Sequence, residues 1–378
     1  MSRIVYSTGT MNKIFREFTF GHGAKVKNRL VLAPMTTYSS NEDLTLSIQE
    51  EVYYKSRSKG MGIVITAATA VNKNAQAFEL QISARDERYL DSMKRLSNAI
   101  KSEGALSILQ LHHGGRMNTP GLYPNQDIVC PSCVKANRDY AVEPRELKTS
   151  EVYDIIDDFV RAAKIAIDAG FDGIELHGAN TYLLQQFFSP HSNVRDDEFG
   201  GNIRNRMNFS LILVKRIIEL KKKYAKKEFV IGYRFSPEEV ENPGITLDDT
   251  LNLVEELASK DIDYLHVSIG NYKGTSLRDK TDKELIVKKL QNVINNRVPL
   301  IGVGHLESLF DLDEAIGLGY DMLALGLIAL SDSNVVENLK NGIEPNKVFR
   351  KNDSLPNNMY NRIEEWGSSL SDRGYTFE

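Results

Sequence analysis

The sequence predicts an α/β fold: a closed (βα)8 TIM barrel with elaborated loops at the C-terminal face of its sheet and a C-terminal tail. Three observations carry this expectation. Short apolar runs alternate with segments of helical period eight times, the pattern of repeated βα units around a parallel sheet. No G-x-G-x-x-G follows the first apolar run, so the dinucleotide fingerprint of the open, doubly wound alternative is missing. The long irregular stretches follow candidate strands, where barrel enzymes build their sites.

The candidate strands are 29–33 (RLVLA), 62–66 (GIVIT), 106–111 (LSILQL), 173–177 (GIELH), 229–234 (FVIGYR), 264–268 (YLHVS), 299–303 (PLIGV) and 322–326 (MLALG). A segment of helical period follows each. The clearest is SEVYDIIDDFVRAAKIAIDAG, where Ser150 is placed to cap the start and Gly170 to stop the helix. Between them Ile155, Ile156, Phe159, Val160, Ala163 and Ile167 form one apolar stripe. The basic run 221–227 reads as the solvated end of a helix, where cations suit the dipole. Irregular surplus falls at 116–148, 185–202 and 270–283, after the third, fourth and sixth candidate strands. Residues 343–378 form a tail whose Tyr360, Trp366, Tyr375 and Phe377 suggest docking onto the barrel, or onto a neighbouring subunit of a homo-oligomer. The chain, 1–378, reads as a single barrel domain.

Composition narrows the function classes. The 378 residues, 41% hydrophobic and 26% charged, are those of an ordinary globular protein with a large core. A formal charge of -4 argues against a nucleic-acid binder, which usually carries a basic face. No stretch approaches the ~20 apolar residues that cross a bilayer, and the N-terminal MSRIVYSTGTMNKIF lacks an apolar signal core. No membrane partner and a cytoplasmic location are therefore expected. The two cysteines, Cys130 and Cys133, cannot build a disulfide framework, and a zinc or cluster site needs about four ligands, so no metal is expected.

The stretch ELHGANTYLLQQFFSPHSNVRDDEFGGNIRNR, 175–206, crowds His177, Asn180 and Tyr182 together. Two can donate hydrogen bonds to an oxygen, and a phenol keeps its proton to about pH 10. Taken singly, each equally fits a polar loop that satisfies its own backbone. In a barrel, however, strand ends converge over one mouth. Strand one ends in APMTTY, strand three in QLHHGGR, strand four in HGANTY and strand five in Arg234.

These segments, with KNRLVLAPMTTYSS and the glycines of GVG after strand seven, resemble the Old Yellow Enzyme family of FMN-dependent ene-reductases, and they span almost the whole barrel. The resemblance implies bound FMN, NADH or NADPH as hydride donor, and a small-molecule substrate such as an enal, enone or quinone. It places Ala33, Pro34, Met35 and Thr36 against one face of the flavin, with the Thr36 hydroxyl near the C4 carbonyl and Ala68 on the same edge. Gln110 and Arg234 would bind the pyrimidine edge, where a guanidinium stabilises the negative charge of the reduced ring. An Arg at that place equally suits a pair with Glu175. His177 and Asn180 would donate to the substrate's carbonyl oxygen while the flavin N5 gives hydride to the β-carbon, and Tyr182 would protonate the α-carbon. The plainer readings are a tautomer-fixed core histidine and a packed phenol. Tyr38 would line the substrate pocket.

The phosphate in this fold sits after strands seven and eight, which points to Gly302, Gly304 and Gly326. The family usually has Arg immediately after that last glycine, whereas Leu327 stands here. Losing such a clamp weakens binding by the ~1.5–3 kcal/mol of a charged hydrogen bond, and His305 is a partial substitute. Thr36 stands where some bacterial relatives have Cys. CPSC falls where the family has a Pro-Ser segment, and the ligands and length of the cluster-bearing dienoyl-CoA reductases are missing. The alternatives are a flavin-binding protein with weak catalysis, or another phosphate-binding barrel enzyme. A flavin-dependent RNA-modifying enzyme would want a basic extension that the chain lacks.

Overall fold

The computed structural model describes residues 12–351 and 354–378; the reading of the first eleven residues lies outside them. Eight parallel strands form the barrel: β1 (Leu30–Leu32), β2 (Ile63–Ile65), β3 (Leu106–His112), β4 (Gly173–Gly178), β5 (Val230–Phe235), β6 (Tyr264–Val267), β7 (Leu300–Gly302) and β8 (Met322–Leu325). Each pairs with the next, and β8 pairs with β1, which closes the ring. The expected TIM barrel is therefore what forms. Every candidate strand overlaps an observed one: five of the observed strands lie inside their candidates, a residue or two shorter, and β3, β4 and β5 each run one residue past the expected end. Ala33 has left β1 but still donates its N–H to Leu325 O at 3.0 Å.

Strand alternation sorts the side chains into two cores. Leu32, Leu109, Leu176, Ile231, Leu265 and Leu323 point outward against the helices. Val31, Ile63, Ile108, Val230, Tyr264, Ile301 and Met322 fill the interior. A hairpin that periodicity did not reveal, Phe18–Thr19 with Lys25–Val26, plugs the N-terminal end with Phe20 and Val26. Above the apolar layer the interior turns polar, since register sets Gln110 opposite Glu175, and His177 in line with Arg234 and His266.

The outer wall is α1 (Ile48–Arg57), α2 (Leu90–Lys101), α3 (Thr149–Asp168), α4 (Ile203–Tyr224), α5 (Leu247–Ala258), α6 (Ile286–Ile294) and α7 (Leu309–Leu318). Local chemistry starts several of them. Ser47 with Glu50 and Thr246 with Asp249 form capping boxes at α1 and α5. The Ser150 cap expected for α3 is not used: the helix is capped two residues earlier, at Lys148, whose N–H is satisfied by Glu151 at 2.7 Å. Gly170 does end it, with φ +84. The basic run closing α4 is only partly solvated, because Lys221 is buried with its Nζ 3.8 Å from Asp263. The stretch 185–202 is also not wholly irregular, since a short helix, Leu183–Phe188, buries both faces beside β4.

After β8 come α8 (Leu327–Ser331) and α9 (Val335–Lys340), then the tail with α10 (Asn357–Glu364) and α11 (Gly367–Ser371). The tail docks on its own barrel. Strand Thr376–Phe377 pairs with Val348–Phe349, and Met359, Tyr360, Ile363, Leu370 and Tyr375 are buried, while Trp366 is 55% exposed. Arg57 of α1 is buried beneath it, donating to Leu330 O and Ser354 Oγ, both at 2.7 Å. Among the described residues, no helix is long and apolar enough to cross a membrane.

Candidate active site

The floor of the mouth is a carboxylate held from three strands. Glu175 on β4 is fully buried, and its oxygens accept from Gln110 Nε2 on β3 at 2.8 Å, Tyr264 OH at 3.0 Å and His266 Nδ1 at 2.8 Å, both on β6. Burial alone would push this carboxyl up; the adjacent His266, then Arg234 and the bond from Gln110, bring it below the usual carboxylate range. Gly232 on β5 makes the arrangement possible, because a Cβ there would lie 2.1 Å from Tyr264 Cζ. Arg234, one inward position further along β5, is buried at 7% exposure and shares no hydrogen bond with Glu175. Its Nε is buried without a partner, as are His112 Nε2 and His266 Nε2. The simple Arg234–Glu175 pair is therefore not what forms. Such buried polar atoms, donors at Arg234 and His112 and an acceptor at His266, are costly unless something else satisfies them.

His177 lies directly beside Arg234 in the ladder. Its Nδ1 accepts the Ala179 N–H at 3.3 Å, which places the proton of the neutral ring on Nε2. Burial, then the neighbouring His112 and Arg234, hold its pKa well below the ordinary value, so the ring stays neutral. His112 is likewise pushed down to about 3 by burial, with Gln81 Nε2 at 3.0 Å from its Nδ1.

Asn180 and Thr181 both adopt left-handed backbone, φ +57 and +70, a strain of ~1–3 kcal/mol per residue that surrounding contacts must hold. They do: Asn180 N–H donates to Ser236 Oγ at 2.9 Å, Thr181 N–H to Gln185 Oε1 at 3.0 Å, and Gln186 Nε2 to Thr181 O at 2.7 Å. Ser268 Oγ donates to Asn180 Oδ1 at 2.6 Å, which leaves the Asn180 amide NH2 as a donor on the exposed side. Tyr182 stands edge-on to His112 and His177, with centroids 4.5 and 5.1 Å away, and to Phe78 at 5.8 Å. Burial raises its phenol above the ordinary value. Tyr38 closes this aromatic wall against Phe78, 5.9 Å away.

The other predicted positions fall on the same rim. Ala33 and Ala68 are buried and Pro34, Met35 and Thr36 half-buried, and the Ala68 carbonyl accepts from Gln81 Nε2 at 3.0 Å. Met35, Thr36, Tyr38 and Gly326 line a cleft of about 440 Å³ whose far wall is the tail. Gly302 is demanded by the chain itself, since a Cβ would meet the Tyr320 ring at 2.4 Å, and Gly304, φ +99, would meet Ile269 O at 2.4 Å. Gly326 is different. Its nearest neighbour to a Cβ would be Met35 Sδ at 3.9 Å, so packing does not require it and open space remains above. Arg373 Nε, buried without a partner in the lining of that cleft, and the unpartnered Arg234 Nε at the tip of β5 fit a planar polar cofactor carrying a phosphate. Ser236, Ser268, Gln81, Phe78 and the Tyr264 and His266 partners of Glu175 were not singled out from the sequence, because each acts through residues distant in the chain.

A parallel barrel whose strand tips gather a buried guanidinium, neutral donors and a phenol at one end of the ring fits the class of flavin-dependent oxidoreductases. Residues 13–346 match the NADH:flavin oxidoreductase / NADH oxidase family, and the chain belongs to that family. It is 40% identical over 331 residues to a probable NADH-dependent flavin oxidoreductase, YqiG, of Bacillus subtilis, covering 88% of each chain. It is also 40% identical over 317 residues to the NADH:fumarate oxidoreductase of Klebsiella pneumoniae, 83% of this chain but only 34% of that protein. An old yellow enzyme homologue from Zymomonas mobilis shares the fold, with a TM-score of 0.75 at 23% identity, over 89% of this chain and 94% of that one. The resemblance drawn from the strand-end blocks is thus met by family and by fold. The protein is an FMN-dependent NAD(P)H oxidoreductase.

Proposed function

We propose that the protein reduces carbon–carbon double bonds activated by an adjacent carbonyl or carboxyl group, in a site formed by the one barrel with its tail. The observation that carries this reading is the joint placement of His177 Nε2–H, the free amide of Asn180 and the phenol of Tyr182 around one mouth above Arg234. Bound FMN supplies the hydride, which it takes from NADH or NADPH.

The chain's own residues divide the remaining work. Ala33, Pro34, Met35, Thr36 and Ala68 would support the ring, with Gln110 and Arg234 at its pyrimidine edge. Gln110 has given its Nε2 to Glu175, so its Oε1 is the atom left to accept. Gly302, Gly304 and Gly326 would border the phosphate. His177 and Asn180 donate to the substrate oxygen, where charge grows as the double bond is reduced. A neutral imidazole suits this role, and burial keeps it neutral. Tyr182 gives its proton to the α-carbon, the alkene carbon attached to the carbonyl or carboxyl group, and Tyr38 with Phe78 excludes water on the outer side. The Klebsiella relative, named for fumarate, agrees with an activated alkene as substrate class.

The test is Tyr182→Phe. Anaerobic bleaching of the flavin by NADPH is expected to survive, while turnover of an enone or an unsaturated carboxylate falls by ~10²–10⁴, the usual worth of a positioned general acid. Parent-like turnover by the variant would remove Tyr182 from the reaction.

A further inference from the structure

Leu327 occupies the position next to Gly326 where a cation would be expected, yet the cleft is not without positive charge. Its lining contains two arginines, Arg362 and Arg373, and no carboxylate. Both come from the tail. Arg362 lies over the Tyr38 ring at 4.9 Å, on the substrate side. Arg373 lies at the other end, where it shares the lining with Gly326 and Leu327 after β8 and ion-pairs with Glu307 in the loop after β7. It therefore bridges the two loops between which barrels of this kind hold phosphate.

The surroundings fix the guanidinium rather than neutralise it. One terminal nitrogen meets Glu307, while Nε is buried without a partner, so donors remain for an anion. Lys347 adds a second cation, with Nζ 3.4 Å from Glu307 Oε2 and 3.0 Å from Arg373 O. The other nearby carboxylate, Asp311, is occupied by the Ser308 hydroxyl at 2.8 Å and the Glu307 N–H at 3.1 Å. His305, expected as a partial substitute, is the weaker cation here, because burial and then Arg373 lower its pKa.

We propose that Arg373, steadied by Glu307 and accompanied by Lys347, supplies from the C-terminal tail the phosphate clamp that Leu327 does not. This rests on placing the phosphate beside Gly304 and Gly326. A guanidinium presents a planar fork that matches phosphate oxygens, and the chain reaches it from a segment some forty-six residues further on instead of the adjacent position.

The experiment titrates full-length apoprotein with FMN and with riboflavin, following quenching of flavin fluorescence. The parent is expected to favour FMN strongly. Arg373→Met, which keeps the packing of the stem, is expected to lose about 10- to 100-fold in FMN affinity and to bind riboflavin as before. Adding Leu327→Arg to that variant restores the preference. An unchanged FMN-to-riboflavin ratio in Arg373→Met overturns the proposal, as does an equal loss for both ligands, which would show that the tail acts through folding. Equal affinities in the parent would instead overturn the placement of the phosphate itself.

Discussion

His177 and Tyr182 face each other with ring centroids 5.1 Å apart, and burial moves their proton affinities in opposite directions. The histidine is lowered, so its protonated form appears only well below its ordinary 6.5; the tyrosine is raised, so its ionised form appears only above its ordinary 10.0. Between those limits the pair keeps one protonation state, neutral donor beside neutral acid. The half-reaction that reduces the alkene should therefore run at a constant rate from about pH 6.5 to 10 in stopped-flow traces, and an inflection near either ordinary value would place the group in water. The sequence showed these residues well, because His177, Asn180 and Tyr182 lie within six residues of one another at the end of β4. It did not show what aims them. Ser268 and Ser236 hold Asn180 from just past the ends of β6 and β5, and a serine at a strand end carries no signal of that role.

At the scale of elements, the strands were legible because each is a short apolar run followed by a helical period, and their ends were legible only to a residue or two, because Ala33 leaves β1 while still bonded and β3, β4 and β5 each run one residue further than expected. The alternation within a strand was the more informative property. On β5 it sends Val230, Gly232 and Arg234 inward, and the middle residue explains its neighbours. A Cβ at Gly232 would press on the Tyr264 ring, whose hydroxyl reaches Glu175 at 3.0 Å. Gly232→Ala is expected to lower stability by ~1–3 kcal/mol, the cost of overpacking a closed interior. Its denaturant midpoint should drop with an unchanged slope. A midpoint equal to the parent's would mean that the ring has somewhere else to go. The N-terminal hairpin escaped the sequence reading for the opposite reason: its two-residue strands are too short to show any period.

At the scale of the whole molecule, the tail decides whether the barrel is complete. Its aromatic content pointed to docking, and Tyr360 and Tyr375 are indeed buried, but composition gave no hint of where the tail lands or that Arg57 would be sealed beneath it. That arrangement depends on contacts almost three hundred residues apart, which no local pattern encodes. It also gives a direct test of cooperativity. Trp366, the single tryptophan, lies between α10 and α11, whereas nearly all helical signal comes from the barrel. With Leu370, Ile363 and Met359 buried, undocking alone would expose apolar surface to water and is unfavourable. Tryptophan fluorescence and far-ultraviolet circular dichroism should thus follow one superimposable transition in urea, and added FMN should move both midpoints upward together. A fluorescence change that precedes the loss of helix would show the tail to be a separately melting flap, and the cleft that it walls to be open for part of the time in the native protein.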